Sequence, residues 1–374
     1  MTDAQPMHTM AHRLHNEFAL LPGYLYEAPP DIDFDPRTYL GWQPQANVQA
    51  CCGGGQTDAR ASERIESLGA GAFFPALVLG SPLGYRSEVA FTFWTPELYR
   101  LLIRTAVQEA RERGVRCIVA PWIPDRAGNQ HLISALQEQG AVTGFYGTED
   151  YLSLTTDSYE AHVAGMSTRR RRQWRLDREN AASAGVKFDR LDGAKLAAAI
   201  PRLAELSLMN RERYGASDQR AHFETLLNEL LTAGADIRCW VARKDEELVG
   251  MTLGIRRLDR VFIKWIGFDY AALGERSGVY FVLLFDAPMA DGYTEGVRFI
   301  ECGMGSHEAK MLRGCESRRI TSAFLMTDPT LISPVSEALA SFSTQRESLF
   351  AMPSSRDTEH RATLNIVRTK PNKN

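Results

Sequence analysis

The sequence predicts a mixed α/β protein that is built from two domains in tandem. Its 374 residues exceed the length of an ordinary single domain and suit two domains of usual size. Hydrophobic residues make up 44% of the chain and charged residues 24%, so both domains can bury a core. In each half, strand patterns alternate with helix patterns, and a helix is followed by a short turn and an apolar strand, an order typical of α/β folds.

Residues 1–70 are expected to form a leader and a loop-rich connector. His8, His12 and His15 would share one face of a helix, but no cysteine or carboxylate stands at ligand spacing. A solvated leader helix is therefore preferred over a metal site. The stretch that follows is rich in Pro, Gly, Asp and Gln, and the glycines of 51–55 lack the Lys-Ser/Thr of a phosphate loop.

An internal repeat indicates that the two domains are copies of one unit. The first domain is expected over residues 71–155, and the second, with an arginine-rich linking helix, over residues 156–374. Tyr99–Val119 in the first aligns with Tyr280–Glu301 in the second, so that a Gly-Val-Arg turn between helix and strand coincides. The alternative is that any unit of helix, glycine and strand resembles any other.

Composition argues against several classes of protein. The formal net charge is −3, so contact with nucleic acid would need a local basic patch. No apolar run reaches the length of a membrane helix and the first residues lack a signal-peptide core, so we expect a cytoplasmic protein. The six cysteines form no C-x-x-C pair, which predicts reduced thiols rather than a disulfide framework or a zinc site.

Three segments resemble Fem-type and BioF-2-like acyltransferases, which are relatives of the general N-acetyltransferase (GNAT) fold. Thr155–Gly185 has a Ser/Thr-Arg-Arg run before a helix, and Trp265–Tyr270 is an aromatic strand that ends in Gly-Phe-Asp. Phe299–Gly314 combines a strand, a glycine turn and a lysine, with Arg313 where the family has an aromatic residue. The resemblance spans about residues 70–326.

This resemblance implies two GNAT-like domains that pack side by side and transfer an activated acyl group to an amine. The donor is aminoacyl-tRNA in Fem-type enzymes and acyl-CoA in ordinary acetyltransferases, and no other cofactor is implied. We expect an aminoacyltransferase that forms an amide with a small-molecule or peptide amine, in natural-product or cell-wall biosynthesis. Two alternatives stay open: an acyl-CoA-dependent N-acyltransferase, and a double domain that binds ligands without catalysis.

An arginine-rich helix is the first candidate for binding the donor. Residues 169–178 contain six arginines and one aspartate, a local charge of +5, and a phosphate-bearing partner would offset this repulsion. A solvated face, with Arg175 paired to Glu179, is the alternative. The candidate donor-binding residues of this helix are Arg169, Arg171, Arg172 and Arg175.

A second donor candidate is the helix start at Arg276 and Gly278. The resemblance places these residues where acetyltransferases bind pyrophosphate at a helix N-terminus. The full glycine-rich spacing is absent, so a plain helix start capped by Ser277 is the alternative.

Four residues are candidates for the chemistry of acyl transfer, which needs a group that takes the amine's proton and a cation that holds the oxyanion. Glu301, at the end of an apolar strand where burial would raise its pKa, and His307, in a glycine-rich turn, are candidate bases. Lys310, at the family's lysine position, and Lys264, within an apolar strand, are candidate cations. The alternatives are an arginine-paired carboxylate, a surface histidine, an exposed helix lysine and an edge-strand lysine, respectively.

Aromatic and basic residues of the first domain are candidates for binding the acceptor. The alternative for the aromatic residues is a place in the core, which strands usually give them. The candidates are Tyr85, Arg86, Phe93 and Trp94, together with Trp265 of the second domain.

Overall fold

The computed structural model describes residues 4–13, 17–30, 34–42, 59–81, 83–213, 220–274 and 277–350. In this part of the chain, eleven strands form one mixed sheet and three strands form a second, smaller sheet. Helices pack on both faces of the large sheet. Alternate residues of its central strands accordingly belong to two different hydrophobic clusters, one on each face. The expected α/β fold class is therefore confirmed.

The strands are β1 (Ala4–Pro6), β2 (Thr9–Arg13), β3 (Glu17–Leu21), β4 (Gly23–Tyr26), β5 (Ala76–Leu79), β6 (Ala90–Phe91), β7 (Cys117–Pro124), β8 (Val142–Ser153), β9 (Lys187–Leu191), β10 (Ile237–Lys244), β11 (Glu247–Arg257), β12 (Arg260–Phe268), β13 (Phe299–Gly303) and β14 (Glu316–Met326). The helices are α1 (Ala59–Leu68), α2 (Pro96–Glu112), α3 (Asn129–Glu138), α4 (Tyr159–Gly165), α5 (Thr168–Ser183), α6 (Gly193–Arg213), α7 (Arg220–Thr232), α8 (Tyr270–Leu273), α9 (Val279–Phe281), α10 (Ala287–Glu295), α11 (His307–Arg313) and α12 (Ile332–Phe350). A π-helical turn, Val282–Asp286, joins α9 to α10.

The strand order places the two halves of the chain in a related arrangement. The large sheet runs β1-β4-β5-β7-β14-β8-β13-β12-β11-β10-β9. β5 and β7 are parallel neighbours connected through α2, and β12 and β13 are parallel neighbours connected through α9 and α10. At the centre, β14 pairs with β7 and β8, while β8 pairs with β14 and β13. The central order β5-β7-β14-β8-β13-β12 is unchanged when equivalent strands of the two halves are exchanged, β5 with β12, β7 with β13 and β14 with β8. This symmetry supports the internal repeat.

The central strands of the two halves are interleaved. β14 comes from the second half of the chain but lies between β7 and β8 of the first half. A boundary between residues 155 and 156 therefore does not divide the sheet into two blocks of adjacent strands. That residues 71–155 and 156–374 are separate domains stays a prediction. We call the junction formed by β7, β14, β8, β13 and β12 the seam.

The expected leader helix is wrong, because residues 4–13 and 17–26 form β1 to β4. β1 and β4 lie at one edge of the large sheet, and β2 and β3 form a hairpin that pairs with β6. His12 lies on β2, and His8 Nδ1 accepts a hydrogen bond from the Gly23 amide at 3.2 Å, while His15 lies outside the described residues. Burial alternates along β3 with the period of a strand, which the helical spacing of the histidines concealed.

Helix layers cover the sheet on either side of the seam. Over the strands of the first half, α2 and α3 pack on one face, and α12, which comes from the second half of the chain, packs on the other. In the second half, α5, α9 and α10 pack on one face, and α6 and α7 on the other. Among the described helices, none combines the length and apolar character that a membrane span requires.

Helix α5 packs closely against the start of α9. Gly278 has a φ of 74°, and a Cβ at this position would lie 2.3 Å from the carbonyl oxygen of Asp177. Asp286 in the π-helical turn is buried and accepts a hydrogen bond from Trp174 Nε1 at 2.9 Å. Arg178 Nη2 donates to the same carboxylate at 3.0 Å. The backbone of α5 therefore covers the start of the α9–α10 helix.

Replacing Gly278 with alanine is expected to destabilise the fold more than replacing Gly296, its matched control. Both glycines have left-handed backbone conformations, with φ 74° and ψ −11° at 278 and φ 70° and ψ 24° at 296, so both variants carry a similar backbone penalty. A Cβ at 296 would meet nothing within 4 Å, whereas one at 278 would meet backbone atoms of Asp177. Urea unfolding should show G278A about 1–3 kcal/mol less stable than G296A, the usual cost of overpacking. Equal stabilities would contradict the close packing of α5 against the start of α9.

Candidate active site

Two parallel strands separate at the seam and open a gap in the sheet. β12 and β13 pair only where Arg260–Phe262 faces Phe299–Glu301. Beyond these pairs β12 continues to Phe268, whereas β13 ends at Gly303. The gap therefore lies at the carboxyl ends of two parallel strands, which is where α/β sheets usually bind ligands.

Lys264 occupies a β-bulge at the edge of this gap. The register between β11 and β12 shifts at Lys264, which makes it an extra residue in its strand, and bulges redirect side chains. Its ammonium group lies 4.7 Å from the centroid of the Tyr85 ring, a cation–π contact. Tyr85 has a φ of 48°, a backbone conformation that is uncommon outside glycine. The next residue, Arg86, lies over the ring of Phe262 on β12 at 4.9 Å.

Charged residues from both halves meet beside the gap, Glu149 and Glu301 buried and the others partly buried, and we call this group the seam cluster. It contains four arginines and three glutamates. Its members are Arg86, Glu88, Arg126, Glu149, Arg260, Glu301 and Arg318. Glu149 accepts hydrogen bonds from Arg86 Nη2 and Arg318 Nη1, both at 2.7 Å, and so ties a loop of the first half to β14.

Glu301 is the centre of the seam cluster. Its Oε1 accepts hydrogen bonds from Arg126 Nη2 and Arg260 Nη1, both at 2.6 Å. Its Oε2 accepts from Arg318 Nη1 at 2.8 Å and from Arg86 Nη2 at 3.3 Å. The residue is only 2% exposed, so its carboxylate depends on these guanidinium groups for its solvation.

The structure contradicts the expectation that Glu301 is a general base. Burial alone would raise the pKa of its carboxyl group, but Arg126, Arg86 and Arg318 outweigh burial and lower that pKa. A carboxylate whose pKa is lowered, and whose oxygens already accept four hydrogen bonds, is a poor proton acceptor. Glu301 is instead the arginine-paired carboxylate that was its alternative.

A second group of buried polar residues, the Asp150 cluster, contains two other catalytic candidates. Asp150 is fully buried; its Oδ1 accepts a hydrogen bond from Ser317 Oγ at 2.5 Å and lies 2.9 Å from His307 Nδ1. Lys310 Nζ donates to the carbonyl oxygen of Gly303 at 2.8 Å and lies 3.9 Å from Asp150 Oδ2. Within the described ranges, no group of three or more His, Cys, Asp or Glu residues is arranged to hold a metal ion.

Lys310 and His307 differ in their exposure to solvent, and therefore in the roles that they can have. Lys310 is 3% exposed and its ammonium is bound to a backbone carbonyl, so it does not face a reacting carbonyl as expected, nor is it an exposed helix residue. The His307 side chain is 17% exposed. If its Nδ1 donates to Asp150, its Nε2 is left as a proton acceptor, the arrangement of a histidine general base.

The two clusters lie on opposite sides of the sheet. On β8, Glu149 joins the seam cluster, whereas its neighbour Asp150 forms the other cluster. On β14, Arg318 and Ser317 divide in the same way. Neighbouring strand residues point to opposite faces, so this separation follows from the strands themselves. β13 borders both clusters and the gap, which therefore lies next to both sets of candidate residues.

Three of the acceptor candidates lie away from the gap. Phe93 packs against the core of the first half, and the Trp94 ring lies 5.6 Å from the ring of His131 on α3. Trp265 packs against Phe223 of α7, 5.6 Å between ring centroids. The sequence spacing placed all of these residues near apolar strands but could not show which side of the sheet each one faces. Of the five candidates, only the tyrosine–arginine pair reaches the seam.

The expected arginine-rich helix is α5, and its arginines divide into anchored and exposed residues. Arg171 Nη1 donates to two carbonyl oxygens at the end of α4, so it closes that helix. The Arg175 side chain is 69% exposed and lies 3.4 Å from Glu179, the pairing that was the alternative. Arg169 and Arg172 are also exposed, and with Arg175 they follow one another at a spacing of three along the helix surface.

The second donor candidate is covered by α5. Arg276 lies outside the described residues. Gly278 marks the start of α9, but its missing side chain makes room for the backbone of Asp177. The Asp177 carboxylate is buried there and pairs with Arg313 at 2.8 Å. A carboxylate and a packed helix thus occupy the place at which the resemblance puts pyrophosphate.

Most of the seam cluster was missed by sequence reasoning. Arg126, Arg260 and Arg318 belong to no motif, and they are brought together only by the fold. One signal was present: Glu149 and Asp150 are adjacent carboxylates inside a strand. Because neighbours in a strand face opposite sides, such a pair must place one charge on each side of the sheet.

Comparison with known proteins identifies the family and the fold. The FemAB_like family, described as peptidoglycan biosynthesis/recognition, matches residues 57–356. No curated protein sequence matches significantly. The fold is similar to the C-terminal domain of a putative lysylphosphatidylglycerol synthetase from Agrobacterium fabrum (TM-score 0.55, 12% identity, 92% of this chain and 89% of that one). It is also similar to FemX (0.53, 12%, 88% and 90%) and to L-PGS from Bacillus licheniformis (0.51, 11%, 90% and 90%), so the expected resemblance to Fem-type proteins is confirmed.

Replacing Glu301 with glutamine is expected to destabilise the protein by about 3–5 kcal/mol at neutral pH, because four partly buried arginines lose their shared, buried carboxylate. The folded-state pKa of Glu301 is lowered, so its contribution is complete above the ordinary glutamate pKa of about 4.3 and is lost as pH falls through the folded-state value. Urea unfolding of parent and E301Q should therefore show a stability difference that shrinks in acid.

The matched control is Glu347→Gln, which removes a carboxylate from an exposed pair with Arg319. This change should alter the free energy of unfolding by no more than about 1 kcal/mol. A difference between parent and E301Q that stays constant from neutral to acid pH would contradict the paired state of Glu301.

Proposed function

This chain belongs to the FemAB-like family, and on that premise we propose that it transfers an aminoacyl group from aminoacyl-tRNA to the amine of an acceptor. The family's description points to acceptors of the peptidoglycan-precursor class, in which a peptide carries a free amine. The name of one structural relative, a putative lysylphosphatidylglycerol synthetase, likewise describes a product to which an amino acid has been joined.

The observation that carries this proposal is the meeting of Lys264 with Tyr85 at the gap between β12 and β13. A bulge places a cation from the second half against an aromatic residue of the first half, at the open ends of parallel strands. A site that only binds ligands would have no need of a histidine paired with a buried carboxylate beside the same strands. His307 and Asp150 form such a pair.

The reaction replaces an ester with an amide. The neutral amine of the acceptor attacks the carbonyl carbon of the aminoacyl ester, a C–N bond forms, and the carbonyl oxygen becomes an oxyanion. Collapse of this intermediate breaks the C–O bond to the ribose of the tRNA, and the ribose oxygen leaves with the proton that the amine has lost. Atoms and charges balance without an oxidant, a metal or a further cofactor.

Each of the three candidate side chains has a role in this scheme. Lys264 stabilises the oxyanion, since a cation near the developing charge lowers the barrier. His307 carries the proton from the amine to the leaving ribose oxygen, with Asp150 fixing the ring through Nδ1. Lys310 is a positioning residue, because it holds the Gly303 turn that connects β13 to the histidine.

The exposed arginines of α5 suit an RNA donor better than CoA. Arg169, Arg172 and Arg175 present guanidinium groups along one stretch of helix surface, and guanidinium binds phosphate through a planar fork. Acyl-CoA would be expected at the start of α9, where a packed helix and the Asp177 carboxylate stand. The donor phosphates are therefore assigned to the α5 surface.

Transfer assays with two donors test this function. Purified protein is incubated with radiolabelled aminoacyl-tRNAs or with acyl-CoA thioesters, together with peptidoglycan-precursor peptides that carry a free amine. Transfer from aminoacyl-tRNA that stops when RNase is added is the expected result. Transfer from acyl-CoA that RNase leaves unchanged would replace the proposal with a CoA-dependent one, and binding without transfer from either donor would favour a non-catalytic double domain.

Replacing Lys264 with methionine is expected to lower the transfer rate about 10²–10³-fold, the usual cost of losing one oxyanion-stabilising group. The free energy of unfolding should change little, because methionine keeps the length of the side chain at the bulge. The control is Lys187→Met, whose parent side chain is 83% exposed and far along the sheet on β9. A K264M rate within about threefold of the parent, well below a 1.4 kcal/mol change in barrier, would remove Lys264 from the mechanism.

A further inference from the structure

The end of helix α12 lies against the ring of His307, and we infer that Phe350 on this helix is a positioning residue for that histidine. The inference rests on the proposed function, in which His307 carries the proton from the amine to the leaving oxygen. Asp150 holds one nitrogen of the imidazole. Phe350 holds the plane of the ring, so that the other nitrogen, Nε2, keeps one direction during the reaction.

The contact between His307 and Phe350 is a direct contact of two rings. Their centroids are 5.3 Å apart and their planes form an angle of 72°, an edge-to-face arrangement that aromatic rings prefer. The two polar contacts described for the imidazole, with Asp150 at 2.9 Å and with Thr148 at 3.5 Å, both involve Nδ1. Contacts at one nitrogen leave a ring free to turn about that end. A second contact on the ring itself is therefore needed to fix its plane.

Phe350 is held in place independently of the histidine. Its ring lies 6.0 Å from the ring of Phe145, at 89° to it, and the guanidinium group of Arg346 lies 5.0 Å from its centroid. Arg346 is only 7% exposed, and its Nε donates a hydrogen bond to the carbonyl oxygen of Tyr146 at 2.8 Å. The phenylalanine therefore has a fixed position from which it can orient His307.

Strand β8 determines the position of both groups that contact the imidazole. Asp150 lies on β8 itself. Helix α12 packs closely on the same strand, since a Cβ at Gly144 would lie 2.7 Å from Leu339 Cγ. Farther along, Tyr146 is an extra residue of β8 relative to β14, a β-bulge, and its carbonyl group accepts the hydrogen bond that anchors α12. One strand thus sets the hydrogen bond and the ring contact together.

The alternative is that Phe350 only fills the hydrophobic core, and its burial argues against this. Phe342, about two turns earlier on the same helix, is buried in the cluster beneath α12. Phe350 is only partly buried, and its ring contacts are with Phe145, Arg346 and His307. Two of these three groups are polar, which is unusual for a side chain whose main role is in the core.

Histidine tautomers, observed by NMR of the full chain labelled with nitrogen-15 histidine, test this role without any donor. The signals of His307 are those that disappear in H307Q. In the parent protein, His307 should carry its proton on Nδ1, which donates to Asp150. In F350A the ring can turn away from Asp150, so the ratio of tautomers should shift toward Nε2–H by about threefold to tenfold, the effect of losing one aromatic pair.

Further variants separate the ring of Phe350 from its bulk. F350Y keeps the ring and should show the tautomers of the parent protein. F350L keeps an apolar side chain without a flat ring and should resemble F350A, and it decides the question if F350A does not fold. The matched control is L349A, which truncates the neighbouring residue of α12. Leu349 is 56% exposed, so its loss should leave the tautomers of His307 unchanged.

In the transfer reaction, F350A should lower kcat about tenfold and leave KM for the donor within about twofold, because proton transfer is impaired while donor binding is not. F350Y should restore kcat. This pattern would distinguish a positioning role from a general loss of stability, which lowers the amount of active protein equally at all donor concentrations and is measured separately by the thermal midpoint.

Two NMR results would overturn the inference: tautomers like those of the parent in both F350A and F350L, and a shifted ratio in F350Y as large as that in F350A. The NMR samples contain no donor, so these results are independent of the transfer assays. A protein that transfers no aminoacyl group would still show the effect of Phe350 on His307. A transferase whose His307 does not respond to Phe350 would keep the proposed function and lose only this inference.

Discussion

The buried carboxylate of Glu301 is the constraint on which the seam depends. A charge that is removed from water must be paired and hydrogen-bonded, or the fold pays several kcal/mol. Glu301 meets this condition only because Arg86 and Arg126 reach it from the first half of the chain, and Arg260 and Arg318 from the second. The same carboxylate keeps four guanidinium groups together that would otherwise repel one another. It therefore fixes where the halves meet.

Strand pairing joins the two halves through the backbone as well. β14 lies between β7 and β8, so hydrogen bonds between main-chain groups join the two halves, with a shift of register near Thr321 in both ladders. Strand register then decides that Glu149 and Arg318 face Glu301, while Asp150 and Ser317 face α11. The gap between β12 and β13 is placed beside this continuous region. The sheet can thus have a gap between β12 and β13 while the neighbouring strands β7, β14 and β8 remain hydrogen-bonded to one another.

Local patterns allowed part of this structure to be predicted. The helix from Pro96 and the strand at Cys117 follow from apolar spacing and from a Gly-Val-Arg turn, and the repeat of that unit predicted two related halves. Lys264 stood out because a lysine is unusual inside an apolar strand, and the bulge is the physical reason for it. The arginine-rich helix was also predicted, because its amino acids favour a helix regardless of their partners.

Other features depend on contacts between distant parts of the chain, which local patterns do not reveal. Arg86 and Glu301 are 215 residues apart in sequence, so the lowered pKa of Glu301 could not be expected from its strand alone. Lys310 was expected to hold the oxyanion, because its position in the sequence does not show that its ammonium is buried and donates to the Gly303 carbonyl. The strands of residues 4–26 form through pairing with β5 and β6, and edge strands of this kind carry little signal of their own.

A double-mutant cycle between Arg126→Met and Glu301→Gln, measured by urea unfolding at neutral pH, tests the dependence of the seam on Glu301 most directly. If the carboxylate holds the arginines of both halves, the two substitutions should be coupled by about 1–3 kcal/mol, as expected for residues that share one ion-pair network. Additive effects, within about 0.5 kcal/mol, would mean that the two side chains act independently. That result would contradict the central place given to Glu301.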